Sequence, residues 1–449
     1  GYVNFFFDRK AASRRILAEL PDMNGELLKN VGQGRTICID YSSINIAKPF
    51  HIGHLLTTAI GGSLYRMYKY CGYNAVGINH LGDWGTQFGK LIVAYKKWGD
   101  DEDIEKRNIR ALLDLYVRFH AEAEKNPELE DEGRYWFKQI EDGNEEALAI
   151  FHKFKDITLK EVSKVYDRLG ITFDSYAGES FYNDKMQPVI DALKEKGLLT
   201  ISEGASVVDL EKYGMPPCLI LKKDGTSLYA TRDLAAAIYR KKTYDFYKCL
   251  YVVAYQQNLH FKQVFKVLEL MGYDWAKDCV HVPFGMVSLE GAGSLSTRKG
   301  NVVFLSDVLD SAVNKSLEII NEKNPDLENK EKTARDVGVG AVVFGALSGG
   351  RIKDISFSLD KALSFDGETG PYAQYTYARA CSVMRKADGF DAENIDFSVL
   401  SDEASAALLR AIDSLPGCIK QAAEKYEPYL ISRAVIDICS CFNKFYYDN

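Results

Sequence analysis

His51-Ile-Gly-His54 sets two imidazoles three residues apart around a glycine, a spacing that lets both rings face one bound group at a helix start. Upstream, Arg35-Thr-Ile-Cys-Ile-Asp-Tyr41 reads as a short buried strand. Downstream, Leu55, Leu56, Ala59, Ile60, Leu64, Met67 and Tyr68 recur at helical spacing. The histidines are therefore expected in a strand-to-helix turn and the first helical turn, where free N–H groups and the helix dipole favour an anion. Gly53 would let a flat ring or a phosphate approach the backbone. Taken alone, the same four residues also read as two surface histidines beside a glycine.

A second cluster lies far along the chain. Ser294-Leu-Ser-Thr-Arg-Lys-Gly300 is a cationic loop with glycines at 291, 293 and 300, so Arg298 and Lys299 can reach a polyphosphate. In isolation such a loop is ordinarily a solvated surface feature. Together with the histidine turn it suits stabilisation of charge on a departing pyrophosphate.

The elements that position these groups follow from the pattern of the chain. A first α/β half runs from about residue 34 to 98, and a charged, mostly helical stretch follows from 100 to about 169. Short strand-like pieces occupy 206–210 and 218–221. The second α/β half contains a strand at 250–255, a helix at 259–271 and a final strand expected over 281–289. From residue 330 the pattern is helical, with Thr369-Gly-Pro opening a helix that tolerates Pro371 in its first turn. The fold class is thus α/β: a Rossmann-like parallel sheet, split by an insertion, then an α-helical domain. Such a sheet binds its ligand outside the carboxyl ends of its strands, where the strand order reverses.

With 449 residues, two or three domains are expected. The boundaries read as 1–30, a remnant of an N-terminal domain and linker; 31–290, the sheet domain with a helical insertion at about 100–220; 291–360, the basic loop and its surroundings; and 361–449, the helical domain. Both ends look cut, with a preceding domain and a terminal helix or two expected to be missing. Composition is that of a globular protein, 46% hydrophobic and 27% charged. A net charge of −7 neither points to nucleic acid nor excludes a basic face. The longest apolar run, 337–347, is too short and glycine-broken to span a bilayer, so no membrane association is expected. The nine cysteines form no C-x-x-C, which argues against a zinc ribbon or redox pair and for a reducing cytoplasm.

The chain resembles the class I aminoacyl-tRNA synthetases, and most closely the arginyl-tRNA synthetases. The resemblance rests on Asp40-Tyr-Ser-Ser-Ile-Asn-Ile-Ala-Lys-Pro-Phe-His-Ile-Gly-His54 and Asn79-His-Leu-Gly-Asp-Trp-Gly-Thr-Gln-Phe-Gly89. It extends through Leu228-Tyr-Ala-Thr-Arg-Asp-Leu234, Tyr255-Gln-Gln-Asn-Leu-His260 and Gly370-Pro-Tyr-Ala-Gln-Tyr375. Two departures stand out. The family's Lys-Met-Ser-Lys-Ser signature has Ser294 and Thr297 in place of its two lysines, and Ile44 replaces the usual proline. The resemblance suggests that Lys48 supplies the missing charge.

Family membership implies activation of L-arginine by ATP with Mg²⁺ and transfer to the terminal ribose 2′-hydroxyl of tRNA(Arg). It also implies a tRNA-dependent activation step, no tightly bound cofactor, no resident metal, and a monomer. His51, His54 and Lys48 are the expected phosphate contacts, with Ser296, Arg298 and Lys299 on the closing loop and Gly53 and His260 also at ATP. The guanidinium calls for planar acceptors, and the resemblance puts Tyr229 and Asp233 there. Asp40, Ser43, Asn45 and Gln257 are carried over to the amino acid's α-ammonium and neighbouring groups. Without the resemblance, Asp233 would be paired with the adjacent Arg232, and His260 would be a satisfied histidine at a helix start. The 80–89 segment is expected to be active-site wall around a buried Trp84. In the tail, Tyr375 and Arg379 are the expected tRNA contacts; of Tyr372, Tyr375 and Tyr377, two are expected to be packing core. Another class I synthetase or a catalytically inactive RNA-binding paralogue is the alternative. A cysteinyl enzyme would need zinc-ligating cysteines, and a glutamyl enzyme arginines in place of Asp233.

Overall fold

The computed structural model describes residue 3 and residues 8–24, 26–46, 48–223, 229–291, 302–387 and 394–449. Helix α1 (Arg9–Glu19) leads to β1 (Thr36–Asp40), α2 (Leu55–Tyr70), β2 (Asn74–Ile78) and α3 (Thr86–Trp98). The insertion comprises α4 (Asp101–Arg107), α5 (Ile109–Ala123), α6 (Glu128–Glu141), α7 (Glu145–Leu169) and α8 (Met186–Glu195). It ends in β3 (Leu199–Ser202), β4 (Ala205–Val208) and β5 (Cys218–Leu221), a separate antiparallel sheet. The chain returns through α9 (Tyr229–Tyr244), β6 (Lys248–Tyr251), α10 (Asn258–Leu270), β7 (Cys279–His281) and β8 (Val287–Leu289). Then come α11 (Leu305–Lys323), α12 (Lys330–Leu347), β9 (Ile355–Phe357) and the short α13 (Leu359–Ala362). The last helices are α14 (Gly370–Lys386), α15 (Glu403–Lys425) and α16 (Tyr429–Asp448).

The main sheet is all parallel in the order β2-β1-β6-β7. β1 pairs with β2 on one side and β6 on the other, so the strand order reverses at β1 and opens a crevice beyond Asp40 and Tyr251, which are paired in register. Both faces of the sheet are covered, as its continuous apolar strands require. Ile37 and Ile39 face one core with α2, while Cys38, Cys249 and Cys279 face another with Phe246 and Phe261. A third core joins α8, α9 and α10.

The single strand expected over 281–289 is two strands in two sheets. β7 ends in the main sheet at His281, and β8 pairs instead with β9. Contact with the main sheet persists past Pro283 to a bridge between Ala254 and Phe284, after which the Gly285 N–H donates to the Arg351 carbonyl (2.7 Å), which draws the chain away.

The helical domain is tied to the sheet domain by specific bonds. Tyr68 Oη donates to the Ala423 carbonyl (2.8 Å), and the Arg351 guanidinium donates to the carbonyls of Pro283 (2.5 Å) and Tyr426 (3.0 Å). Helix α1 does not trail as a linker: Ser13 and Ile16 are buried, and Arg9 and Arg15 reach Glu403 and Asp413 of α15, each at 2.8 Å. Thr369 caps α14 by accepting from the Tyr372 N–H, with Pro371 in the first turn. No helix among the described residues is long and apolar enough to cross a membrane.

Candidate active site

At the carboxyl end of β1, Asp40 is 5% exposed and both its oxygens are engaged. Oδ2 lies 2.8 Å from Nη2 of Arg240 on α9, and Oδ1 accepts from Ser43 Oγ (2.6 Å). Ser42 and Ser43 both adopt left-handed backbone (φ 69° and 43°), which costs free energy in non-glycine residues. A buried hydroxyl network holds Ser42 there. Its N–H donates to Thr57 Oγ1 (3.0 Å), and its Oγ meets Thr58 Oγ1 (2.9 Å) and Tyr166 Oη (2.7 Å). The insertion thus braces the turn through α7, which carries Tyr166. Asn45 lies against Gly82, where a Cβ would come within 2.4 Å of the Asn45 Oδ1. This contact docks the loop after β1 onto the 80–89 turn.

The histidine pair occupies a 3-10 turn (Ile52–His54) that runs straight into α2. His51 Nδ1 accepts from the Gly53 N–H (3.0 Å), and His54 Nδ1 accepts from the His51 N–H (3.2 Å). Burial lowers both pKa values, to about 4 for His51 and about 3 for His54, with the nearby Lys48 charge pushing each the same way. Each ring is therefore neutral at pH 7, and because Nδ1 is an acceptor the proton sits on Nε2. The result is a pair of uncharged N–H donors on tilted rings, with centroids 4.0 Å apart and planes 35° apart. The close approach that Gly53 permits is that of the His51 ring itself, since a Cβ there would lie 2.7 Å from its Cε1. Ser296, Arg298 and Lys299, with Ser294 and Thr297, lie outside the described residues. The segment that follows them is fixed to the histidine turn: Ile52 N–H donates to the Val303 carbonyl and Leu305 N–H to the Phe50 carbonyl, both 2.9 Å.

These shifted histidines set a pH dependence. Below the ordinary histidine value of 6.5 the unfolded chain takes up protons that the folded chain refuses, so stability falls as pH drops, levelling off near pH 4 and pH 3 as the folded rings protonate. Urea unfolding of the protein at pH 5 and pH 7 should show the loss, and His54→Asn should shrink the difference between the two.

The opposite wall is built by α9, α10 and the 179–185 turn. Asp233 Oδ2 lies 2.5 Å from His260 Nε2 in the first turns of α10. Burial opposes ionisation of Asp233, but the His260 hydrogen bond, reinforced by His260, His80 and Arg240, keeps its carboxyl below the usual carboxylate range. The ordinary expectation of an Asp233–Arg232 pair fails, because consecutive helical residues point about 100° apart. Arg232 faces Glu179 (3.8 Å) and Asn183 (3.5 Å) instead. Burial pushes the Glu179 carboxyl up to about 7, against the opposing pull of Arg232. Glu179 is held in place by Asp83, which accepts from the Ser180 N–H (2.8 Å), Ser180 Oγ (2.7 Å) and Lys155 Nζ (2.6 Å). Tyr229, one helical turn before Asp233, is 67% exposed at the rim of a cavity of about 440 Å³. Trp84 lines the same cavity and is only partly buried, packed edge-on against Phe137 and Phe151. Gln257 is exposed at the start of α10, three residues before His260.

Sequence reasoning missed Glu179 and Arg240, and placed His80 in the 80–89 wall without a partner. Arg240 had a signal, since it continues the α9 face of Tyr229 and Asp233. Glu179 had none, because only the fold of the insertion brings it to Arg232. In the tail, Tyr375 and Tyr377 are 52% and 74% exposed, so one tyrosine of the three packs, not two. Helical phase is the reason: Tyr372, Thr376 and Arg379 face α16, where Asn443 bonds all three, while Tyr377 points away. The Arg379 guanidinium lies 5.0 Å from the Tyr375 ring centroid. Among the described residues no group of three or more His, Cys, Asp or Glu side chains could hold a metal ion.

A parallel sheet with paired neutral histidines at its switch point, joined to a helical domain, defines a class I nucleotide-activating unit. Residues 19–359 match the family model "tRNA synthetases class I (R), catalytic domain", and 373–449 match the "DALR anticodon binding domain". The chain is 56% identical, over its whole length and 79% of the relative, to the arginine–tRNA ligase of Alkaliphilus metalliredigens. The same figures hold for that of Clostridioides difficile. Among solved structures it superposes on Thermus thermophilus arginyl-tRNA synthetase with TM-score 0.86 at 24% identity, covering 99% of this chain and 79% of that one. The chain belongs to the arginine type of the class I tRNA synthetases.

Proposed function

We propose that this protein is an arginine–tRNA ligase whose chemistry is alignment and charge stabilisation, with no enzymic nucleophile. The arginine carboxylate attacks the α-phosphate of MgATP, forming the acyl-phosphate bond as pyrophosphate leaves. The 2′-hydroxyl of the terminal tRNA ribose then attacks the carbonyl carbon, and AMP departs. The observation that carries this reading is the adjacent pair of neutral Nε2–H donors at the start of α2, beside Lys48. Such preorganised donors need no reorganisation as phosphate charge develops. Mg²⁺ belongs to the nucleotide substrate.

For the amino acid, Asp233, with Glu179 and Tyr229 nearby, offers the planar acceptors a guanidinium requires. His260, bonded to Asp233, orients that carboxylate, and the family resemblance assigns it to ATP as well. Asp40 with Ser43, Asn45 and Gln257 serves the α-ammonium end, Gly53 the nucleotide, and Ser296, Arg298 and Lys299 the departing pyrophosphate. The exposed Tyr375 ring, with the half-buried Arg379 guanidinium beside it, offers a face suited to a single-stranded base. The nine cysteines are all free thiols, which fits a cytoplasmic enzyme, and a monomer is the assembly we assign.

Pyrophosphate exchange tests the reading. Incorporation should depend on arginine and on the presence of tRNA(Arg); exchange with another amino acid in its place would overturn it.

A further inference from the structure

We propose that Arg240 is a positioning residue that sets the distance between the two ends of the amino acid site, and with it the side-chain length that is accepted; this rests on the roles given above to Asp40 and Asp233. Tyr229, Asp233 and Arg240 lie on one face of α9, four and seven residues apart. Asp233 therefore stands at the guanidinium end, and Arg240 two turns further along reaches Asp40 on β1, at the α-ammonium end. Arg240 is 1% exposed. Its Nη2 lies 2.8 Å from Asp40 Oδ2 and 3.4 Å from His80 Nδ1, and its guanidinium lies 5.3 Å from the Tyr251 ring centroid on β6. One side chain thus links α9 to β1, β6 and the 80–89 turn.

Stability alone does not explain this residue. Nε and Nη1 of Arg240 are buried and make no hydrogen bond of good geometry among the described residues, with the Tyr182 hydroxyl the nearby polar group. Each such group carries a desolvation cost, and an apolar pair of similar volume in place of both Arg240 and Asp40 would fill the space without it. Incompletely satisfied buried charge of this kind is tolerated where it orients something else. Here it orients Asp40: with Ser43 on Oδ1 and Arg240 on Oδ2, the carboxylate has one orientation, and α9 has one position against β1. Loss of the link lets helix and strand settle at a different spacing. The histidine turn stands on α2 and the 303–305 segment, so nucleotide binding should be spared.

The test uses Arg240→Met and Arg240→Lys in the full chain, with pyrophosphate exchange measured for arginine, for homoarginine (one methylene longer) and across a MgATP titration, alongside thermal unfolding. Loss of one charge-assisted contact should raise the KM for arginine about 30-fold in Arg240→Met and less in Arg240→Lys, with KM for ATP within about twofold. The preference for arginine over homoarginine should fall about 10-fold, the scale of one-methylene discrimination. A merely structural arginine would instead lower activity in proportion to the folded fraction, leaving KM and preference unchanged. If Arg240→Met does not fold, Arg240→Lys decides by the same criteria. Wild-type KM and preference in a folded Arg240→Met protein, or in Arg240→Lys where only that variant folds, overturn the proposal alone; a wild-type chain that does not activate arginine overturns the underlying reading as well.

Discussion

His54→Ala is expected to cut the rate of arginine activation by about 10²–10³-fold, the usual effect of removing one preorganised donor to developing charge. The arginine KM should change little, because the Asp233 wall is untouched, and tRNA binding should survive. Two features make the effect large. The ring is neutral and its tautomer is set by the His51 N–H, so Nε2–H is a fixed donor before substrate arrives. The substitution also removes the acceptor for that N–H, which loosens His51 at the same time. Single-turnover pyrophosphate exchange with tRNA-binding controls checks this. An unchanged rate in a folded His54→Ala protein would sink the assignment of the turn to phosphate chemistry. Loss of tRNA binding together with the rate would instead indicate misfolding of α2.

Asp233→Ala should lower kcat/KM for arginine by about 10²–10³-fold, within the range for truncating one partner of a buried, hydrogen-bonded charge pair. Most of this should appear in KM if Asp233 binds the guanidinium equally in ground and transition states. The substitution also strands His260, which loses the carboxylate at 2.5 Å. A double-mutant cycle with His260→Ala separates the two contributions, because residues in contact are not additive. Large coupling, with the double variant little worse than Asp233→Ala, is the expected outcome. A normal arginine KM in Asp233→Ala would remove this residue from the guanidinium site and leave Glu179 as the candidate acceptor.

The elements around the histidine turn were legible because they are local in sequence. A buried strand, a His-x-Gly-His turn and an amphipathic helix follow one another within about 35 residues, and secondary-structure periodicity alone orders them. The Asn-Ile-Ala-Lys and Gly-Asp-Trp-Gly runs were legible as motifs for the same reason, although the packing of Asn45 onto Gly82 was not. Break points were harder. The 281–289 run reads as one strand, and the competition between Arg351 and the main sheet for the backbone at Gly285 divides it. The exposure of Tyr375 and Tyr377 depends on where α16 lies, which no periodicity within α14 contains.

By itself the sequence determined the class of fold and the location of the histidine turn at the start of a helix, since these depend on short-range pattern. Tertiary structure alone decided how the site residues are charged and paired. Burial and backbone N–H groups make His51 and His54 neutral Nε2–H donors. Helix geometry turns Arg232 away from Asp233, and the folded insertion presents Glu179 to it. Arg240 meets Asp40 because α9 crosses the end of β1. Desolvation and ion pairing depend on groups distant in the chain, so their outcome exists only once the chain is packed.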